Sequence, residues 1–372
     1  MKTEKRAQTV LTTLLILVGI PMVAATQTAS FKPLGIIHSS NPKNCTYVIS
    51  TDGLTVLGSV LDEESGYKVQ QWQYDTTSIV PISFQPDQEY RVLAMSGDTS
   101  VVVGFVTAAT GIEAFVFKNN RMTYLGGLDT DSKPVLSSSN PNVYSLATAV
   151  SNDGSVVVGH YFASGIGQRA FRWQNGRMTD LGTIPGEPEG CQSFATDVSA
   201  DGSLVVGSFF GSKGHQAFLW QNGTMAGLGY LIDSSYKPES HAAAIAANGS
   251  VVVGHGTTFK GRRACRWDNT GISVLRASES IGEDHLSEAI DVSADGSVIV
   301  GHYLSSGRSG VFIWDAANGM RDLSDLLKDD YKLELKGWRL DKVFAVSGDG
   351  KAIVGGGSDP EDVPQAWLIT IS

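Results

Sequence analysis

From about residue 47 onward the chain cycles through one short pattern of apolar and polar positions. The fullest copies read Ser151-Asn152-Asp153-Gly154-Ser155-Val156-Val157-Val158-Gly159 and Ser199-Ala200-Asp201-Gly202-Ser203-Leu204-Val205-Val206-Gly207. Each leads to Ala170-Phe171-Arg172-Trp173 or Ala217-Phe218-Leu219-Trp220, then to an Asn-Gly pair and Met178-Thr179-Asp180-Leu181-Gly182 or Met225-Ala226-Gly227-Leu228-Gly229. The glycine that follows the Val run recurs at 58, 104, 159, 207, 254, 301 and 355, spacings of 46 to 55 residues, so the chain holds seven units. Each unit predicts four short antiparallel strands, A to D. Ser-x-Asp-Gly makes the A–B turn, where Ser and Asp bond the turn backbone and Gly takes positive φ. Asn-Gly makes the C–D hairpin. Strand B, exemplified by Leu204-Val205-Val206, is apolar at consecutive positions, so both of its faces are buried.

A strand covered on both faces fits a sheet stacked between two neighbours. A two-sheet sandwich would wet one face and show alternation. A β-helix would use repeats about half as long without tight internal hairpins. Trp72, Trp173, Trp220, Trp267 and Trp314 share the end of strand C, with Phe117 in their place on the second unit, and this recurrence reads as packing between sheets. The chain ends add a topological constraint. The last unit supplies strands A to C (343–346, 352–354 and 366–369) and then stops, while Phe31-Lys32-Pro33-Leu34-Gly35 is a strand D with nothing before it. Joining the two completes a seventh sheet and removes the exposed edges. The fold class is therefore all-β: a seven-bladed β-propeller of four-stranded antiparallel blades over 26–372. Its ring is closed by an N-terminal strand joining the C-terminal blade (30–36 with 341–372).

The unit Ser-x-Asp-Gly-Ser-Val-Val-Val-Gly, Ala-Phe-x-Trp, Met-x-x-Leu-Gly resembles the HAF-type extracellular repeat of exported bacterial proteins. The likeness covers nearly all of 30–372, including Leu323-Ser324-Asp325-Leu326-Leu327 and Gly337-Trp338-Arg339-Leu340 near the end. Units three, four and six match well, whereas the first has Val69-Gln70-Gln71-Trp72 where Ala-Phe-x-Trp is expected. The resemblance implies export and a propeller-like repeat. It implies no activity and no catalytic residues.

Residues 1–25 read as a signal peptide: Lys2, Lys5 and Arg6, an apolar run from Val10 to Val18, Pro21, and small residues at Val23-Ala24-Ala25. That run is short for a bilayer span, so no membrane span is expected after cleavage. Removing Lys2, Lys5, Arg6 and Glu4 from 28 basic and 38 acidic residues leaves 25 against 37, which moves the formal charge from −10 to −12. An acidic surface with no basic cluster argues against nucleic acid as a partner. Of three cysteines, Cys265 takes the place of Phe171 and Phe218 and reads as a small core residue. Cys45 and Cys191 enter blades 1 and 4, too far apart for a disulfide.

In a propeller the short A–B and C–D turns share one end, and the B–C and D–A connections share the other. The latter are expected to be long and variable, as at 129–146, 276–287 and 324–342, and binding sites favour such loops. All seven histidines fall toward that end. His160, His255 and His302 follow the repeat glycine on blades 3, 5 and 6, His215 lies in a B–C connection, and His38, His241 and His285 lie in D–A connections. Arg169, Arg262, Arg263 and Arg308 accompany them. Blade 3 is not next to blades 5 and 6, so His160, His255 and His302 do not make a zinc site, and neither metal nor other cofactor is expected. Nucleophile elbows, His-Glu-x-x-His and calcium-loop spacings are missing, and the Ser-x-Asp-Gly turns lack the Gly-x-Thr-Trp that completes a sialidase Asp-box.

The expectation is a monomeric exported binding module for a protein or glycan. His160, His215, His255, His302, Arg169, Arg262 and Arg263 are its candidate ligand-binding residues. The competing expectation is a propeller hydrolase or lyase acting on an extracellular glycan at the channel mouth.

Overall fold

A computed structural model describes residues 27–36, 46–62, 66–73, 76–79, 88–108, 111–128, 134–135, 144–163, 165, 167–188, 190–231, 238–305 and 307–372. Residues 1–25, for which a signal peptide is expected, and His38 and Cys45 lie outside them. Seven four-stranded antiparallel sheets form the seven blades, and a two-stranded ribbon (127–128 with 134–135) is added between blades 2 and 3. In blade 3 the strands are 145–150 (A), 156–163 (B), 167–174 (C) and 177–180 (D). Blade 4 follows with 192–198, 204–211, 214–221 and 224–227. Blade 5 has 240–245, 252–258, 261–268 and 271–274, and blade 6 has 285–292, 299–305, 308–315 and 319–322.

The ring closes as the chain ends imply. Strand 29–36 pairs antiparallel with 364–371, so that Ala29 faces Ile371 and Gly35 faces Ala366, and it completes the sheet of 339–346, 352–358 and 364–371. Ser30 and Thr370 hydroxyls meet across this pair at 2.6 Å.

Each A–B turn is held by its own side chains. The Ser151 hydroxyl donates to Asp153 Oδ1 (2.7 Å) and accepts from the Val156 amide (2.9 Å), while the Ser155 amide also donates to Asp153 (2.9 Å). Ser50, Ser96, Ser199, Ser293 and Ser347 repeat this arrangement, and all six serines are buried. Blade 5 departs from it with Ala246 and Asn248. Successive turns also bond one another through the residue after the serine. Gly97 donates to Asn152, Asn152 to Ala200, Ala200 to Ala247, Ala294 to Gly348 and Gly348 to Thr51, at 2.8 to 3.1 Å between backbone atoms. These turns line one recess together, at the A–B end of the blades.

The repeat glycine has a second role. A Cβ at Gly159 would sit 1.9 Å from the Leu146 carbonyl oxygen, and one at Gly104, Gly207, Gly254, Gly301 or Gly355 would sit within 2.2 Å of the matching oxygen. In each of these blades strand A shifts register by one residue at this level. The bulge brings its backbone against strand B, and only glycine leaves room. Strand B therefore runs on past the glycine instead of ending there: in blade 4 it is Leu204–Gly211, not 204–206. With both strands longer, the B–C connection shrinks to two residues where Gly211 faces Gly214 and Thr258 faces Gly261. The expected long B–C loops are corrected to tight hairpins, and the D–A connections alone supply long segments at that end.

Apolar clusters lie between adjacent blades. Trp267, Trp314 and Trp72 are buried, and Trp173 and Trp220 pack half-buried against the same clusters, so the tryptophans serve inter-blade packing. Cys265 is fully buried within one cluster, and Cys191 is a free buried thiol with no disulfide among the described residues. The 324–342 insertion opens with a helix, Leu323–Asp329, capped by the Asp322 carboxylate accepting from the Asp325 amide. Its Leu323, Leu326 and Leu327 fill the seam between blades 6 and 7.

Candidate functional site

The longer strands relocate the candidate residues. His160, His255 and His302 lie within strand B, His215 and Arg169, Arg262 and Arg263 within strand C, and His241 and His285 within strand A. These histidines and arginines were expected in loops and are corrected to strand positions, on the strand halves beyond the repeat glycine. Cross-strand register sets them on one level: Leu146 faces His160, Phe194 faces Ser208, His241 faces His255 and Glu288 faces His302. Side chains that face each other across an antiparallel pair stand on the same side of the sheet.

Rings at this level touch from blade to blade. His160 meets Phe194 edge-on (5.0 Å between centroids), Phe194 meets Phe210 (5.2 Å), Phe210 meets His215 (4.0 Å), His215 meets His241 (5.6 Å), and His241 stacks on His255 (4.7 Å). His255 is followed by Glu288, which the Arg262 guanidinium binds directly. His302 closes the series by accepting the Val343 amide of blade 7 at Nδ1 (3.4 Å). The candidates thus form an arc over blades 3 to 6, with His160 at one end and His302 at the other.

Burial sets their charge. It pushes His160 and His255 down to about 4, and in His255 the neighbouring His241 adds to the effect. His241, His285 and His302 are lowered for the same first reason. All five are neutral imidazoles at pH 7. Glu288 is pushed up by burial, but the hydrogen bond and the charge of Arg262 favour its ionised form, and it is held below its usual range.

Arg263 stands apart. It is buried, and its guanidinium donates to the Lys260 and Arg262 carbonyls (3.1 Å each) and to the Glu283 carbonyl (3.2 Å). These bonds tie a hairpin to the following D–A segment. Arg169 has Nε and Nη1 enclosed, with no hydrogen-bond partner among the described residues.

Two features escape a reading of the sequence. A recess of about 510 Å³ lies between blades 5 and 6, lined by Thr257, Arg262, Leu286, Ser287, Glu288, His302, Tyr303 and Leu304. Leu286 and Leu304 face each other across strands A and B yet are 44% and 47% exposed, and Phe259 at the blade 5 hairpin is 74% exposed. Only the alternation along 285–292 and 299–305 hints at them. The second feature is a group of ligand-type atoms on His215, Glu239 and His241, all within 4.8 Å of one another. His215 Nδ1 is 4.0 Å from Glu239 Oε1, and His241 Nδ1 is hydrogen-bonded to Ser208 Oγ at 3.0 Å.

The central channel carries two further acids. Asp197 and Asp291 project from strand A of blades 4 and 6, and each accepts backbone amides, from Val198 and Ile245 in one case and from Val292 and Val346 in the other, all at 2.8 Å. Burial raises them to about 7 and about 6, and each lies on the channel wall. Their bonds strap each blade to the next.

The architecture defines the class, a seven-bladed β-propeller closed by its own N-terminal strand. No protein-family model matches the chain, and no curated relative matches it. Solved structures share the architecture. An oligogalacturonate lyase from Vibrio parahaemolyticus is similar over 92% of this chain and 97% of its own, with TM-score 0.56 and 11% identity. A prolyl endopeptidase structure is similar over 93% of this chain and 50% of its own, with TM-score 0.56 and 10% identity. TolB from Acinetobacter baumannii matches 74% of this chain, which spans 63% of the TolB chain, with TM-score 0.44 and 13% identity. At these identities the likeness is one of fold.

Proposed function

We propose that the protein is an exported binding module that takes a protein partner at the D–A end of blades 5 and 6. The apolar patch carries this reading. Leu286 and Leu304 stand side by side at the recess, and the Phe259 hairpin lies against them, since a Cβ on Gly261 would touch Leu286 Cδ2. Adjacent exposed apolar side chains rimmed by charges match the core-and-rim plan of protein interfaces. Arg262 and Glu288 supply such a rim, as do Lys260 and Asp284, which pair at 3.2 Å. The leader-like character of 1–25 and the HAF-like repeat support export.

The competing hydrolase or lyase reading draws on one observation, the convergence of His215, Glu239 and His241. Binding assays with immobilised extracytoplasmic proteins and acidic or neutral glycans separate the two. The module reading expects a protein ligand retained without turnover. It also expects Leu286→Asp with Leu304→Asp to weaken that ligand by about tenfold or more, as loss of a buried anchor does, in a variant that still unfolds cooperatively. Glycan turnover, or an affinity untouched by the double variant, would refute it.

A further inference from the structure

We propose that His215, Glu239 and His241 are the protein ligands of a divalent transition-metal ion of the zinc class, held where blades 4 and 5 meet. The inference stands on these residues alone and not on the reading of the neighbouring face as a partner surface. Its starting point is the chemistry of the set: two imidazoles and one carboxylate, drawn from two blades, with their donor atoms within 4.8 Å of one another. Bonds of about 2.0–2.1 Å to a tetrahedral zinc ion place ligand atoms about 3.3 Å apart. His215 Nδ1 and Glu239 Oε1, now 4.0 Å apart, therefore need only a small inward turn. Both side chains are about two-fifths exposed.

The surroundings orient the set. Glu239 and His241 are alternate residues entering strand A of blade 5, and the strand period of two puts them on one side. The Glu239 backbone is fixed by its amide donating to Thr257 Oγ1 (2.8 Å) and its carbonyl accepting from the Thr257 amide (2.9 Å). The Phe210 ring lies 4.0 Å from the His215 ring and limits its rotation. With His241 Nδ1 bonded to Ser208 Oγ, Nε2 is the nitrogen left for a ligand. A hydrogen bond on the other ring nitrogen is the usual outer support of a ligating histidine. As an ion pair alone, half-exposed His215 and Glu239 gain little, and that pairing gives His241 no reason to stand with them.

Imidazole donors select the class of ion. Calcium takes six to eight oxygen ligands and magnesium a near-ideal octahedron of oxygens, which one carboxylate cannot supply. Two histidines and a carboxylate leave a fourth position for water or for a ligand group, as an open zinc site does.

The test uses the whole chain, stripped with chelator and titrated with zinc chloride alone by calorimetry, with cobalt(II) absorption reporting geometry. Expected are one zinc ion per chain, a tetrahedral cobalt spectrum, and no competition from equimolar calcium. His241→Ala and Glu239→Gln should each weaken zinc by at least about tenfold, whereas His160→Phe, outside the set, should not. Circular dichroism and a cooperative melt establish that each variant is folded. His215→Ala, at a half-exposed position, serves if His241→Ala is not. Failure to bind zinc at micromolar concentration, or binding unchanged in the folded variants, overturns the assignment.

Discussion

His160 occupies the level that Phe105 takes in blade 2 and Ser208 in blade 4, beside the repeat glycine. A titratable ring in a place where phenylalanine also fits is a packing residue first. Its Nδ1 is enclosed with no partner among the described residues, and burial holds the ring near 4. The unfolded chain, titrating near 6.5, binds the proton first as pH falls, so the contribution of His160 to stability is full above 6.5 and lost toward 4. Asp197 and Asp291 act in the opposite sense. Raised to about 7 and about 6, they favour the folded state below 3.8 and lose that contribution as pH rises through those values. The wild-type profile sums both, so a difference isolates the histidine. Urea unfolding should show His160→Phe gaining on the wild type by about 2–2.5 kcal/mol between pH 7.5 and 4.5; parallel profiles would mean that the ring is solvated. The sequence identifies the histidine but not its surroundings, since the rings against it are Tyr144 of its own blade and Phe194 of the next.

At the scale of the element, two residues of the repeat have separate duties. Removing the Ser151 hydroxyl leaves the buried Val156 amide without its acceptor, so Ser151→Ala should lower stability by about 1–3 kcal/mol in equilibrium unfolding. Gly159→Ala forces a Cβ onto the Leu146 carbonyl and should cost about 3 kcal/mol, more than Ser151→Ala in the same assay. A Gly159→Ala protein as stable as the wild type would contradict the bulge explanation. Turn chemistry is local, so Ser-x-Asp-Gly and Asn-Gly are legible without coordinates. The bulge is not, because it depends on how strand A meets strand B, and glycine after an apolar run reads equally well as a strand end. That single ambiguity accounts for the expected long B–C loops and for the placing of His160, His215, His255 and His302 in them. The collar of turn-to-turn bonds left a faint trace, the small or uncharged residue after each serine: Thr51, Gly97, Asn152, Ala200, Ala294 and Gly348.

Across the whole molecule, closure fixes which side chains share an end. The missing strand D of the last repeat and the orphan strand at 31–35 are complementary in the sequence, and the structure pairs them. The arc from His160 to His302 and the His215, Glu239 and His241 group follow from that ring but not from any local spacing. His215 lies on blade 4 while Glu239 and His241 open blade 5, so inter-blade geometry alone brings them together. The apolar recess is equally a product of assembly, formed where the Phe259 hairpin of blade 5 approaches strands A and B of blade 6. The most direct measurement is therefore of closure itself. In Ser30→Cys with Thr370→Cys, whose native hydroxyls lie 2.6 Å apart, mild oxidation of the folded protein should form a disulfide. Peptide mapping should recover the 30–370 crosslink in high yield, with a raised unfolding midpoint. Two thiols that stay free and react independently with a label would contradict the closed ring and the shared end built on it.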